Sequence, residues 1–401
     1  MEPLFPDRCL ELDELAVELI RRSVALGQSV HPITRSAIVE VVRSMNSYYS
    51  NLIEGHNTHP LDIEKALAKD YSSEPAKRAL QIESRAHIEV QKLIETRLHD
   101  DPAIAICSSD FLCWIHREFY DRLPAEFGVV KTESGVDVPP NPGHLRDGEV
   151  IVQRHIPPFS GSLPEFLSRF AEYEPSRLDP FTRIIAAAAS HHRLAWIHPF
   201  LDGNGRVVRL FTHAYLIKTK SDGHGLWMVS RGFARSRDKY VSTLIGADAD
   251  RRGALDGRGN LSNKGLSDFC IFFLETALDQ VGFMSSLLEL DSMHDRIIVF
   301  TENWARQNRW DLMRLISAKI GHLLSDIFFR GELSRGEATA ILSIPERTSR
   351  EVLKHLIDQK LLTSDGPGRP VRLGFPVHTI GFYFPKLYPD NVEFGLQLGK
   401  I

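Results

Sequence analysis

Apolar residues recur at three- and four-residue steps through most of this chain, the spacing that gathers them on one face of an α-helix. The clearest run is residues 34–54, where Ile38, Val41, Val42, Met45, Tyr49 and Leu52 repeat at that interval. Gly55 follows where a left-handed residue closes a helix, and Pro60 blocks continuation of the turn between them. The same periodicity predicts helices over residues 60–67, 77–98, 110–123, 163–173, 179–196, 206–218, 236–247 and 266–290. Helices of this kind bury their apolar faces only against one another, so the expected fold is mainly α.

At 401 residues the chain is too long for one average domain. The reading divides it into a helical region over 1–109, a core over 110–290 and a C-terminal unit over 291–401. A net charge of -4 excludes a cationic field over the whole molecule, so any nucleic-acid contact must be local. The four cysteines (Cys9, Cys107, Cys113 and Cys270) lack CxxC spacing, which fits a reducing compartment. The acidic N-terminus lacks the basic and apolar regions of a secretory signal, and no run reaches the roughly 18 apolar residues of a span. A cytoplasmic protein without membrane contact is expected.

Two segments break the helical rhythm. Residues 139–158 read as a β-hairpin, with Val150, Ile151 and Val152 as strand formers and Asp147-Gly148 as a tight turn. Beyond a bridging stretch at 291–308, helices at 311–329, 334–342 and 345–362 precede strand, Gly/Pro tip and strand over 363–375. That order predicts a winged helix-turn-helix.

Residues 197–209, IHPFLDGNGRVVR, place a histidine, a carboxylate, a Gly-Asn-Gly turn and two arginines in one loop and the helix turn after it. Gly203 and Gly205 let backbone N–H groups approach an anion closely, and a helix start near Asn204 adds its positive end. Arg206 and Arg209, three apart, can grip different phosphates with charge-assisted bonds. Asp202 beside phosphates would be repelled unless a cation intervened, and a carboxylate plus phosphate oxygens is how proteins commonly hold Mg²⁺. His198 is suited to take a proton from an attacking hydroxyl near neutral pH. Anion grip, metal ligand and base together point to phosphoryl or nucleotidyl transfer. A zinc site at His191, His192, His198 and His213 does not match the usual ligand spacings.

HPFLDGNGRVVR resembles the signature HxFx(D/E)GNGRxxR of the Fic family at every fixed position. The resemblance spans residues 110–250 and implies the Fic helical core with a β-hairpin flap, acting as a protein adenylyltransferase. It implies His198 as general base, Asp202 as the Mg²⁺ ligand, and Gly203, Asn204 and Gly205 as the anion hole. Arg206 and Arg209 would hold the outer phosphates of ATP, Phe200 would be a buried anchor, and Tyr240 would lie near the adenine. Residues 143–154, with Gly143, Val150, Ile151 and Val152, would form the flap that pairs with the target as an added strand. The acceptor would be a Ser, Thr or Tyr hydroxyl of a protein, including this chain itself.

Ser50 to Gly55 matches the family's inhibitory pattern (S/T)xxxE(G/N), in the class whose inhibitory helix precedes the core. Ser50 and Glu54 are four apart on one helix face, and Glu54 at a helix C-terminus opposes the dipole, so it needs a cationic partner. The resemblance names that partner as Arg209. The expectation is a site held off until the helix moves.

The C-terminal unit supports a second, non-enzymatic reading, a DNA-binding regulator with a nucleotide-sensing Fic domain. Residues 330–372 carry eight Lys/Arg and six Asp/Glu, a weak basic excess. Arg347, Thr348 and Arg350 lie near the start of the expected recognition helix, and Arg369 sits in the Gly/Pro tip. A Fic enzyme that removes AMP or uses another nucleotide also stays open, as does a homodimer.

Overall fold

Proline opens three of the first four helices. Pro32, Pro60 and Pro75 stand in the first turn, where a missing N–H leaves no bond unmade. His31 and His59 precede two of them, each ring accepting a hydrogen bond from a first-turn amide, at 3.3 and 3.2 Å. The computed structural model describes residues 2–124, 127, 130–131, 137–138, 141–152, 155–307, 310–390 and 392.

The N-terminal helices are α1 (Leu10–Gln28), α2 (Pro32–Ile53), α3 (Pro60–Leu67) and α4 (Pro75–Asp100). After α5 (Ser109–Tyr120), a short antiparallel pair forms, β1 (Val130–Lys131) with β2 (Asp137–Val138), in the register Val130↔Val138. The core continues through α6 (Leu163–Phe170), α7 (Thr182–Ile197), α8 (Asn204–Lys218), α9 (Ser230–Arg235), α10 (Arg237–Asp248) and α11 (Asn263–Leu287). Ala186, Ala187, Ala188 and Ala189 on α7 are all buried, and small side chains there let α7 pack against α8 and α11. No single helix among the described residues is long and apolar enough to cross a bilayer.

The stretch expected only to bridge is instead α12 (Leu290–Gln307). Met293, Ile297, Phe300 and Trp304 line its buried face at three- and four-residue steps. The helix expected over 311–329 breaks at Ile316 into α13 (Asp311–Leu315) and α14 (Ser317–Arg330). Then come β3 (Glu332–Leu333), α15 (Arg335–Leu342), α16 (Glu346–Asp358), β4 (Leu362–Thr363), β5 (Val371–Leu373) and α17 (Val377–Tyr383). The three strands form an antiparallel sheet in the order β3-β5-β4. Ser334 and Glu337 make a reciprocal capping box at the start of α15.

The hairpin expected over 143–154 is narrower than its sequence suggests. Asp147-Gly148 does not turn two strands together, and Val150 and Ile151 are not in a strand. Among the described residues of this segment, pairing is confined to Val152 and His155, which exchange both backbone hydrogen bonds at 3.0 and 2.9 Å. Arg154, at the end of the expected flap, lies outside the described residues.

Helix α2 touches both parts of the chain. Its Thr34 hydroxyl donates to the Phe328 carbonyl at 2.7 Å, and Tyr49 Oη donates to the Leu387 carbonyl at 3.0 Å. Tyr48 and Tyr49 also pack against Tyr388, with centroids 5.1 and 6.4 Å away. Tyr49→Phe leaves the buried Leu387 carbonyl without this donor, and its expected cost is about 1–3 kcal/mol of unfolding free energy. Urea denaturation at neutral pH checks this, and an unchanged midpoint would contradict it.

Candidate functional site

Helix α7 ends at His198, whose backbone turns left-handed at φ 50° and ψ 60°. A non-glycine residue there is strained by about 1–3 kcal/mol, so the surroundings must hold it. Arg146 does so. Its Nε donates to the His198 carbonyl at 2.8 Å, and its backbone N–H donates to the Pro199 carbonyl at 2.9 Å. The same guanidinium donates to the Gly148 and Pro158 carbonyls, which ties the chain on both sides of the narrow hairpin to the loop. Burial pushes the His198 imidazole down to about 4, against a hydrogen bond to the Ala195 backbone, so the ring is neutral at physiological pH.

Between His198 and α8 the loop is closed by Asn204. Its side chain accepts from the Phe200 amide at 3.0 Å and donates to the Phe200 carbonyl at 2.8 Å. Phe200 is fully buried and stacks on His116, 4.1 Å between centroids. His116 Nδ1 accepts from the Gly143 amide at 2.9 Å, and Nε2 meets the Asp202 carbonyl at 3.3 Å, so Nε2 carries the proton. Burial pushes His116 down to about 4, which keeps that tautomer neutral. Gly203 caps α8 at φ 78°, and a Cβ there would meet the Tyr120 ring at 2.6 Å. Tyr120 Oη instead donates to Asp202 Oδ2 at 2.6 Å.

Both arginines of the loop are already held by carboxylates. Arg206 pairs with Glu83 of α4 and lies 3.4 Å from Asp202 Oδ2. Arg209 is gripped by the end of α2: Nε donates to Ser50 Oγ at 2.8 Å, and Nη2 to the Ser50 carbonyl at 3.1 Å and Glu54 Oε1 at 2.5 Å. Gly205 makes this approach geometrically open, because a Cβ there would lie 2.4 Å from Glu54 Oε1. Burial alone would raise the Glu54 carboxyl, but the charge and hydrogen bond of Arg209 outweigh it and hold the group below its ordinary range. Gly55 then ends the helix at φ 89°.

The structure therefore brings together His198, Asp202, Gly203, Asn204, Gly205, Arg206, Arg209, Ser50, Glu54 and Gly55. Tyr240 lies within electrostatic reach of Arg209 and Glu54 at the loop. It is 5% exposed, stacked on Phe233 at 4.3 Å, and bonded through Oη to His191 Nε2 at 2.8 Å. His191 Nδ1 in turn meets Thr212 Oγ1 at 2.7 Å, which ties Tyr240 into α8. Of the flap residues, Gly143 reaches the loop through His116, whereas Ile151 is 66% exposed. Glu83, Arg146, His116 and Tyr120 were not singled out by their sequence context, since each meets the loop from 52 to 123 residues away.

Asp202 suits a Mg²⁺ ion carried by phosphates. Its side chain is a third exposed, one carboxylate oxygen is steadied by Tyr120 and Arg206, and Mg²⁺ commonly takes one or two carboxylates with phosphate oxygens and water. No group of three or more protein ligands that could hold a metal occurs among the described residues.

A model of the Fic/DOC family matches residues 106–216, which span α5, α6, α7 and most of α8. The chain carries a Fic domain. Over 182 residues it is 32% identical to the protein adenylyltransferase Fic of Nematostella vectensis, covering 43% of this chain and 36% of the relative. A protein of the same description from Drosophila erecta is 38% identical over 77 residues, 19% of this chain and 16% of its own. The chain thus spans about a third or less of the length of these curated relatives. Among solved structures, a Fic family protein from Desulfovibrio desulfuricans G20 aligns over 94% of this chain and 99% of its own, with TM-score 0.53 and 18% identity. A Fic domain-containing signaling protein from Bacteroides thetaiotaomicron aligns over 67% and 95%, with TM-score 0.51 and 18% identity. At those identities the likeness is one of fold.

On the C-terminal unit, Arg347 and Arg350 project from α16 with side chains 94% and 75% exposed. Each faces an acid on its own helix, Glu351 and Glu346. Arg369 is exposed, and Thr348 is half-buried. A cavity of about 760 Å³ lies between this helix, Arg335 of α15 and the 364–368 loop, away from the Fic loop.

His56, just beyond Gly55, sits 2.7 Å from Glu83 Oε2, and that hydrogen bond raises its pKa above the ordinary 6.5. A raised folded pKa means that the stability from this pair is fully present below about 6.5 and is lost as pH rises through the folded value. An NMR titration is expected to find His56 titrating above 6.5, and Glu83→Gln to bring it down. A His56 pKa unaffected by Glu83→Gln would contradict the pairing.

Proposed function

We propose that this chain is a protein adenylyltransferase whose resting state is held off by Glu54. The observation that carries the reading is Arg209, a phosphate-gripping residue by its place in the loop, closed on both sides by Ser50 and Glu54. The loop offers an anion a Gly-rich turn and a helix start, with Arg206 and Arg209 on the following turn. A hydroxyl of the target protein attacks the α-phosphorus of ATP, the new O–P bond forms, and the bond to pyrophosphate breaks.

His198, neutral because it is buried, accepts the hydroxyl proton. Asn204 and Arg146 keep the loop in the strained shape that aims it. Asp202 would hold Mg²⁺, and that ion would offset negative charge on the phosphates. A Ser, Thr or Tyr of another protein, or of this chain, would be the acceptor. Val152 and His155 form the narrow paired edge against which an extended target segment would lie.

The same loop would also serve removal of AMP or transfer from another nucleotide. Release of label from an AMP-modified target, and competition by GTP or CTP, would separate these from the primary reading. A second reading attaches to the C-terminal unit. Its element order is that of a winged helix, and the exposed Arg347 and Arg350 on α16, with Arg369 on the tip, suit a duplex-facing role. The expected result is retardation of duplex DNA in a mobility-shift assay at physiological salt, lost in Arg347→Ala/Arg350→Ala. No shift of any duplex from a random pool would contradict it.

Glu54→Gly frees Arg209 and is expected to raise incorporation of radiolabel from α-³²P-ATP at least about ten-fold, the scale of one charge-assisted contact. Adding His198→Ala should abolish the gain. Unchanged labelling in the Glu54 variant would sink the inhibitory role. Because the neutral imidazole is the active form, the rate should rise through about pH 4 and stay level across neutrality. A pH-rate profile of the Glu54→Gly protein that instead breaks near 6.5 would contradict the buried base.

A further inference from the structure

Two carboxylates from the N-terminal helices meet the two loop arginines, but they are built differently. Glu54 stands at the end of α2, a third exposed, with open space beside Gly55. Glu83 lies within α4 and is fully buried. A helix end can swing aside, whereas a residue inside a packed 26-residue helix cannot leave without unfolding it. Glu54 is thus a removable partner of Arg209, and Glu83 is a fixed partner of Arg206.

A buried carboxylate is costly unless every lone pair is used. Glu83 uses both oxygens: Oε1 takes Arg206 Nη1, and Oε2 takes His56 Nδ1 at 2.7 Å. Arg206 is 8% exposed and lies with its guanidinium 5.3 Å from the Phe119 ring centroid, so it has few other places to go. Among the described residues, the other carboxylate paired with it is Asp202, at a longer 3.4 Å. Without the charge of Glu83, the guanidinium would close further on Asp202, whose Oδ2 already accepts from Tyr120 Oη.

We propose that Glu83 is a positioning residue of the nucleotide site, restraining Arg206 to a long 3.4 Å contact with one Asp202 oxygen so that this carboxylate keeps room for a divalent cation. The inference rests on the nucleotidyl-transfer reading for its consequence, but not for its geometry. Glu83 touches neither nucleotide nor target and acts through Arg206.

The test uses the full-length Glu54→Gly protein and compares it with the same protein carrying Glu83→Gln or Glu83→Asp. Binding of Mn²⁺ in the presence of the non-transferable analogue α,β-methylene-ATP is followed by electron paramagnetic resonance. Affinity should fall about ten-fold in Glu83→Gln, the loss of one charge-assisted contact, and less in Glu83→Asp, which keeps the charge but withdraws it by one methylene. In turnover, half-saturation by Mg²⁺ should rise in the same order, with a much smaller change in rate at saturating Mg²⁺.

A residue that merely fills space would give the reverse order, because Gln matches Glu in shape and Asp leaves a void. Equal Mn²⁺ affinity in all three proteins, or Asp weaker than Gln, would overturn the proposal. If Glu83→Gln fails to fold, Glu83→Asp is compared with Ile94→Val, a one-methylene void in the same helix: affinity weakened in Glu83→Asp alone supports positioning, and equal affinities in the two overturn it. The metal titration is read whether or not AMP is transferred, so absence of labelling in the Glu54→Gly parent would contradict the nucleotidyl reading alone.

Discussion

The Arg209 guanidinium is buried and already satisfied by Ser50 and Glu54, and the arrangement of the loop turns on that one contact. A buried guanidinium needs an anion, and in this structure the end of α2 supplies it. On the proposed reading, a phosphate arriving at Arg209 would have to displace Glu54. Nothing comparable threatens Arg206, whose partner is locked inside α4. The two arginines are thus assigned separate tasks by where their carboxylates come from.

The strain at His198 follows the same logic of neighbours fixing what the loop cannot hold alone. A left-handed histidine survives because Arg146 binds its carbonyl from the segment ahead of the narrow hairpin, and because Asn204 ties the loop back to Phe200. His116 joins the two by accepting from Gly143 while bonding to Asp202. The loop, the hairpin segment and α5 are therefore one hydrogen-bonded assembly, and His198, Asp202 and Gly143 are positioned together.

Much of this was legible in the chain. The three- and four-residue apolar steps placed α2, α3, α4, α5, α8 and α16 within a few residues of their ends, and Gly55 marked the stop of α2 correctly. The loop from His198 to Arg209 could be read because its parts are adjacent. Helix α1 was not read, for a physical reason: Leu10, Val17 and Val24 are exposed while Leu12, Leu19 and Leu26 are buried, so apolar residues on both faces blur the period. Helix α12 carried a readable stripe through Met293, Ile297, Phe300 and Trp304, obscured by the charged residues between them. Glu83 could not have been found, because its partner is 123 residues away and a glutamate on a helix is ordinarily solvated. The hairpin was overread, since Val150 and Ile151 lie outside any strand and Val152 alone of these strand formers pairs, with Arg146 drawing the preceding chain onto the loop.

Helix α2 also contacts the C-terminal unit through Thr34, Tyr48 and Tyr49, so the residues that close the site and those that anchor the helix share one element. On the proposed reading, Arg209 would serve Glu54 or a γ-phosphate, but not both. Calorimetric affinities for ATP and ADP with Mg²⁺, in the wild-type and Glu54→Gly proteins, test it most directly. The account predicts that the wild type scarcely distinguishes ATP from ADP, because its γ-phosphate contact is taken, and that Glu54→Gly binds ATP distinctly more tightly than ADP. An ATP-to-ADP preference that is the same in both proteins would contradict it.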